Sequence, residues 1–184
     1  MTLTEQAEWL SQAEKIAWAD PRVAALTQFL MRDDLPRMRY PPNSIKRWGT
    51  YQTGLEWANG THKPAYDAYR LPFVAPAEVP AGRPALLWGQ VRAAPNGTPQ
   101  TINLQFAHGA SDHFRTVGGP IAVKDPYGYF QVSVVPGVTG RWRFVWRAPS
   151  ASAPPRAGMP ILATPPAAPP RREDASTPLE VRIG

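Results

Sequence analysis

Residues 141–147 read Arg-Trp-Arg-Phe-Val-Trp-Arg, a strict alternation of period two. Successive side chains of a strand point to opposite faces. Trp142, Phe144 and Trp146 therefore share one face, and Arg141, Arg143 and Arg147 share the other with Val145. An aromatic inner face backed by an arginine outer face suits a strand of a β-sandwich. Four more strand-like segments precede it, at 85–92, 101–107, 114–123 and 129–135. Asn96-Gly97, Gly118-Gly119-Pro120, Asp125-Pro126 and Pro136-Gly137 punctuate the series. Short strands with such punctuation predict a sandwich or barrel, and Trp88, Trp142 and Trp146 are expected in its core.

The remainder of the chain divides by composition. Residues 148–178 hold nine prolines and eight alanines in 31 positions. Such a stretch buries too little apolar surface to order itself and reads as a linker or disordered loop. Residues 179–183 return to strand alternation and are expected to complete the sandwich. Residues 1–74 carry mixed signals. A helix is expected over 4–19, with Thr4 as N-cap, a stripe through Leu3, Ala7, Leu10, Ala13 or Glu14, and Ala17, widened by Ile16, and Asp20-Pro21 as its stop. Residues 23–31 (VAALTQFLM) are apolar on both faces, as in a strand buried in a parallel sheet. Asn59-Gly60 marks a turn, and Pro64 suits the first turn of a second helix that runs to about Arg70. Residues 75–83 are expected to link this region to the sandwich at 84–147.

Composition narrows the chemistry. The absence of cysteine removes disulfides, cysteine-ligated zinc, iron–sulfur clusters and thiol catalysis together. No apolar run reaches the roughly 18–20 residues of a membrane span. The first residues, MTLTEQAEWLSQAEK, lack the basic and apolar regions of a signal peptide. The net charge is +6. Arginine accounts for most of the cations, and arginine, alanine, proline and glycine all have GC-rich codons. With no tight basic cluster interleaved with aromatics, the charge is expected to be compositional and nucleic acid is not the expected partner.

Residues 3–23 (LTEQAEWLSQAEKIAWADPRV), 25–34 (ALTQFLMRDD) and 51–72 (YQTGLEWANGTHKPAYDAYRLP) occur in an order that resembles the C-terminal end of a (β/α)8 glycoside hydrolase-like protein, of the barrel type shared by families 5 and 39. The resemblance assigns these three segments to the helix after strand seven, to strand eight, and to the stretch before and within the last barrel helix. PALLWGQVR (84–92), PYGYFQVSVV (126–135) and GRWRFVW (140–146) are similar to the immunoglobulin-like or prealbumin-like modules that often follow such barrels. The fold class this implies is α+β: the incomplete end of a barrel, then a small all-β sandwich.

The resemblance further implies a secreted or cell-surface protein acting on carbohydrate or polysaccharide, whose upstream barrel segment precedes Met1. The two catalytic carboxylates of these enzymes sit at the ends of strands four and seven, which would both lie upstream. Retaining hydrolysis needs two carboxyl groups about 5–5.5 Å apart. The seven glutamates here (5, 8, 14, 56, 78, 173 and 180) offer no convincing pair. The chain alone is therefore expected to be inactive and to need no cofactor or metal. A self-sufficient, non-catalytic sandwich that binds glycan or protein is the alternative.

Four residues stand out as substrate contacts. Asp33 and Asp34 fall where barrel strands meet the active-site face, with loop-bracing through Arg32, Arg37 or Arg39 as the structural alternative. Trp48 and Tyr51 follow; an aromatic plane there could stack against the apolar face of a pyranose, or pack the loop. By resemblance Trp48 is the better placed. His108, Asp112 and His113 are too few for a metal site without further ligands. Ser111-Asp112-His113 is adjacent in sequence, which does not make a catalytic triad.

Overall fold

The structure is a computed structural model and describes residues 1–148 and 174–184. Most of the proline-rich stretch expected to be a linker, at 149–173, lies outside the described residues.

Helix α1 spans Leu3–Ala19. Its N-cap is Thr2 rather than Thr4: Glu5 N–H donates to Thr2 Oγ1 (3.1 Å) while Thr2 N–H donates to Glu5 Oε2 (2.6 Å). This reciprocal pair satisfies two of the donors that a helix start leaves orphaned. The expected apolar stripe is replaced by a buried face of Gln6, Ala7, Ser11 and Glu14, with Leu3, Trp9 and Ile16 turned outward. The exchange has a cause in packing. Ala7 lets α1 approach helix α2 (Pro64–Arg70), whose Ala65 and Ala68 are fully buried against it, and Gln6 Nε2 donates to the carbonyls of Thr53 and Gly54.

Residues 23–31 form no strand, contrary to the sequence expectation. Val23, Leu26, Phe29 and Met31 are all exposed. Among the described residues no acceptor takes the backbone N–H groups of 24–32. Gln28 Nε2 donates to Thr53 O (2.8 Å) and Thr53 Oγ1 to Phe29 O (3.3 Å), but backbone pairing with a neighbour begins at the end of the segment, where Glu56 N–H donates to Met31 O and Asp33 N–H to Glu56 O. A two-sided apolar strand needs a neighbour on each edge and a cover on each face, and the described residues supply neither.

The β region follows its sequence pattern closely. Among the described residues nine strands, β1 (Phe73–Val74), β2 (Glu78–Val79), β3 (Ala85–Gln90), β4 (Gln100–His108), β5 (Arg115–Val123), β6 (Tyr129–Val134), β7 (Gly140–Trp146), β8 (Asp174–Ala175) and β9 (Leu179–Ile183), form two sheets. The smaller has the order β1-β3-β6; the larger runs β2-β9-β7-β4-β5, with β8 also on β7. All pairings are antiparallel except β2 with β9. Phe144 lies between the sheets, edge-on to Phe73 (5.6 Å) and Phe130 (5.0 Å). Leu87 and Val91 meet Ile102, Leu104, Trp142, Trp146 and Val181 in the same core.

Three boundaries move. β1 belongs to the sandwich although it falls inside 1–74, and the expected linker at 75–83 contains β2. Residues 174–178, expected in the proline-rich linker, join the large sheet: Ser176 N–H donates to Phe144 O, Phe144 N–H donates to Ser176 Oγ, and Asp174 pairs with Arg70. Local composition misplaced them because their order comes from β7, not from their own sequence.

Helix α1 covers the outer face of the small sheet. Trp18, Trp88 and Tyr129 meet in a triangle of rings, each pair 5.9 Å apart. Beside it, Glu14 bridges Arg92 (2.5 Å) and the Tyr129 hydroxyl, which donates to it at 3.0 Å. The helical region and the sandwich are joined through this contact.

Candidate functional site

Asp33 is held where the backbone of segment 23–33 pairs with that of Glu56. Its Oδ1 accepts from Lys63 Nζ (2.7 Å) and from Gly54 N–H (2.9 Å). The 53–55 backbone must run flush against 32–33 for this to happen. Gly54 permits it, since a Cβ there would fall 2.5 Å from Asp33 N. Lys63 Nζ also donates to Gln52 O (3.2 Å) and stands 4.8 Å over the Trp57 ring. Both charged side chains are sealed from solvent. Asp33 Oδ2 is buried and has no hydrogen-bond partner, an uncommon state for a carboxylate oxygen.

A cleft of about 510 Å³ opens beside this pair, lined by Asp33, Trp48, Gln52, Trp57, Asn59 and Thr61 among others. Trp48 and Trp57 are half exposed. The Trp48 ring is fixed by its Nε1, which donates to Pro42 O (3.0 Å). Asn59 Oδ1 accepts from Thr61 N–H (3.0 Å) and Thr61 Oγ1 (2.7 Å), which shapes the expected Asn59-Gly60 turn, where Gly60 has φ +83°. The cleft thus combines two aromatic walls with several amide and hydroxyl groups, beside the buried Asp33–Lys63 pair.

Of the four residues singled out from the sequence, the structure brings two together here. Asp33 and Trp48 line the cleft; Asp34 and Tyr51 do not. Asp34 braces the loop: its Oδ2 accepts from Tyr51 N–H (3.2 Å) and its own N–H donates to Tyr51 O (3.0 Å). The Tyr51 ring packs edge-on against Phe29 (5.1 Å) in a separate, mainly apolar groove with Trp9 and Leu10. Sequence reasoning missed Trp57 and Lys63. The visible signal was the Asn59-Gly60 turn, which folds Trp57 and Lys63 back towards each other.

The histidines do not converge. His62 stacks on Tyr66 (3.6 Å) near Glu56, while Asp112 pairs with Arg141 (2.7 Å). Among the described residues no group of three or more metal-ligating side chains is assembled. No helix among them is long and apolar enough to cross a membrane. On the outer face of β7, Arg141 is also held by the carbonyls of Ala110 and Ser111, and Arg143 lies 4.1 Å over Phe114.

Fold and site together define a mostly β protein: a small sandwich with two helices packed on it and a polar-aromatic cleft at the helical end. No protein-family pattern matches the chain, and no curated protein does. Among solved structures it is similar to a chain in the complex of zinc 2-glycoprotein with prolactin inducible protein from human seminal plasma. The identity is 13%, over 62% of this chain and 93% of that one, with a TM-score of 0.28. A likeness that loose carries no argument about this chain.

Proposed function

We propose that the chain is the C-terminal part of a secreted or cell-surface glycoside hydrolase-like protein, and that its cleft contacts carbohydrate. One observation carries the carbohydrate assignment. Trp48 and Trp57, each half exposed, wall a cleft of about 510 Å³. A sugar offers an apolar C–H face for an indole plane and hydroxyls for the polar groups beside it. Gln52, Asn59 and Thr61 add groups that can orient further hydroxyls.

The parent barrel is supported by the exposed 23–31 segment, with its unpaired N–H groups and its apolar side chains on both faces. Preceding barrel strands would pair with one edge and cover it. The catalytic carboxylates belong to those strands, and the chain by itself binds without hydrolysing.

Calorimetric titration of the chain with neutral β-linked and α-linked tetrasaccharides tests the carbohydrate assignment. Saturable binding to at least one, weakened by Trp48→Ala, is expected. Binding unaltered in Trp48→Ala, or none across the panel, overturns it. The coding sequence upstream of Met1 tests the parent: an in-frame barrel with two strand-end glutamates is expected, and an unrelated sequence leaves the chain a self-sufficient binding module.

A further inference from the structure

The loop that carries Trp48 differs in charge from the rest of the helical end. Residues 35–50 include Arg37, Arg39, Lys46 and Arg47 and contain no aspartate or glutamate. Arg37, Arg39 and Lys46 are exposed, and among the described residues none of the four cations has a carboxylate partner.

The fold holds Arg37 and Arg47 beside Trp48 at the cleft. Arg37 N–H donates to Arg47 O (2.9 Å), which closes the loop and brings its two ends together. The Arg37 guanidinium is 3.8 Å from the Cβ position of Gly49, next to Trp48, and Arg47 lies 5.9 Å from the centre of the Trp48 ring. Arg47 itself is tied inward, donating to Tyr40 O (2.9 Å). The nearby acids are already engaged: Asp33 by Lys63, Glu56 by Arg32, and Asp34 by the backbone N–H of Tyr51. Counting Arg32, Arg37, Arg39, Lys46, Arg47 and Lys63 against Asp33, Asp34 and Glu56 leaves 6 − 3 = +3 around the cleft.

We infer that the glycan this cleft takes is anionic, a polysaccharide bearing carboxylate or sulfate groups, with its sugar rings against Trp48 and Trp57 and its charges on Arg37 and the other exposed cations of the 35–50 loop. The inference rests on the carbohydrate assignment above. Like-charged residues around a concave site focus the field and concentrate a ligand of opposite sign. Arginine forks match carboxylate and sulfate oxygens two at a time, and they do so best when no protein acid competes for them. A neutral glycan would leave these cations with water alone.

Calorimetry on the full chain at low and at 300 mM salt would compare an oligogalacturonide, a sulfated heparin-derived tetrasaccharide, a neutral cello-oligosaccharide and a single-stranded oligonucleotide. The expected result is tighter binding, by about tenfold or more, of one of the two anionic glycans over the neutral one at low salt. That advantage shrinks as salt rises and is lost in the triple variant Arg37→Gln, Arg39→Gln, Lys46→Gln. These three side chains are exposed, and circular dichroism confirms that the variant is folded. Whichever anionic glycan binds best distinguishes carboxylate from sulfate. Equal, salt-independent binding of neutral and anionic sugars overturns the inference and leaves the carbohydrate cleft standing. Binding of the oligonucleotide as tightly as either glycan, unaltered by Trp48→Ala, also overturns it, since the rim is then a general polyanion surface. Failure of every sugar to bind removes the carbohydrate assignment and the inference together.

Discussion

Lys63 Nζ lies 2.7 Å from Asp33 Oδ1, with both side chains buried, and the same ammonium stands 4.8 Å above Trp57. One cation thereby neutralises the cleft carboxylate and sets an aromatic wall. Removing it should be costly, because a buried charge that loses its partner typically costs about 3–5 kcal/mol. Lys63→Met is expected to lower the unfolding free energy, read from urea titration, by an amount in that range. The double variant Lys63→Met, Asp33→Leu should recover much of the loss, since it leaves no uncompensated charge. A Lys63→Met protein as stable as the unaltered chain would show that the pair does not form in solution.

The two aromatic grooves should separate functionally. Trp48 and Trp57 line the polar cleft, whereas Tyr51 packs on Phe29 in the apolar groove. Truncating an aromatic anchor commonly costs more than 1 kcal/mol of binding, or about tenfold in affinity. Trp48→Ala and Trp57→Ala are each expected to weaken oligosaccharide binding by about that factor. Tyr51→Ala should leave it unchanged within twofold. Calorimetric titration of the three variants reads the difference directly.

The sequence discloses different parts of this molecule unequally, for physical reasons. Strand periodicity located β4, β6, β7 and β9 to within about two residues, because one face of each is more buried than the other, so that alternation is written into the residues; β3 is buried on both faces, and the turn signal after it marked its end. Helix α2 was equally plain from Pro64 and the small residues after it. The buried face of α1 was not, since Gln6 and Glu14 are buried for particular partners: the carbonyls of Thr53 and Gly54, Arg92, and the Tyr129 hydroxyl. The apolar run at 23–31 states that a sheet is wanted but not whether neighbouring strands are present. Of the site, Asp33 and Trp48 were visible from their positions. Lys63 was not, because nothing local marks a lysine whose partner lies thirty residues away.

Ser176 closes the gap between β8 and β9 on the edge of β7. Its hydroxyl accepts from Phe144 N–H at 2.9 Å, and Phe144 is the residue that both sheets pack around. Ser176→Ala removes the acceptor and leaves a buried N–H unsatisfied, a penalty of about 1–3 kcal/mol. The expected outcome is a fall in unfolding free energy of that size with the denaturant slope unchanged. The Phe144 amide should also exchange faster with solvent than its neighbours in β7. A variant indistinguishable from the parent would mean that residues 174–178 do not pair with β7 in solution.

The joint between helix and sandwich should weaken in alkali. Burial, and then the hydrogen bond to the Glu14 carboxylate, push the Tyr129 hydroxyl up to about 12 from the ordinary phenol value of 10.0. Both influences favour the neutral phenol in the folded chain. Between pH 10 and 12 an unfolded chain releases this proton while the folded chain retains it, so the folded state binds more protons and stability must fall as pH rises through that window. Below pH 10 the contribution is fully present. Other groups also titrate there, so the informative quantity is the difference between the parent and Tyr129→Phe. The variant keeps the ring against Trp18 and Trp88 but has no hydroxyl to ionise. Its stability should decline less steeply from pH 10 to 12, and its ultraviolet titration should lack the late-ionising phenol. If the two proteins lose stability in parallel across that range, Tyr129 does not donate to Glu14 in solution, and α1 is held to the small sheet by Arg92 and the Trp18–Trp88 contact instead.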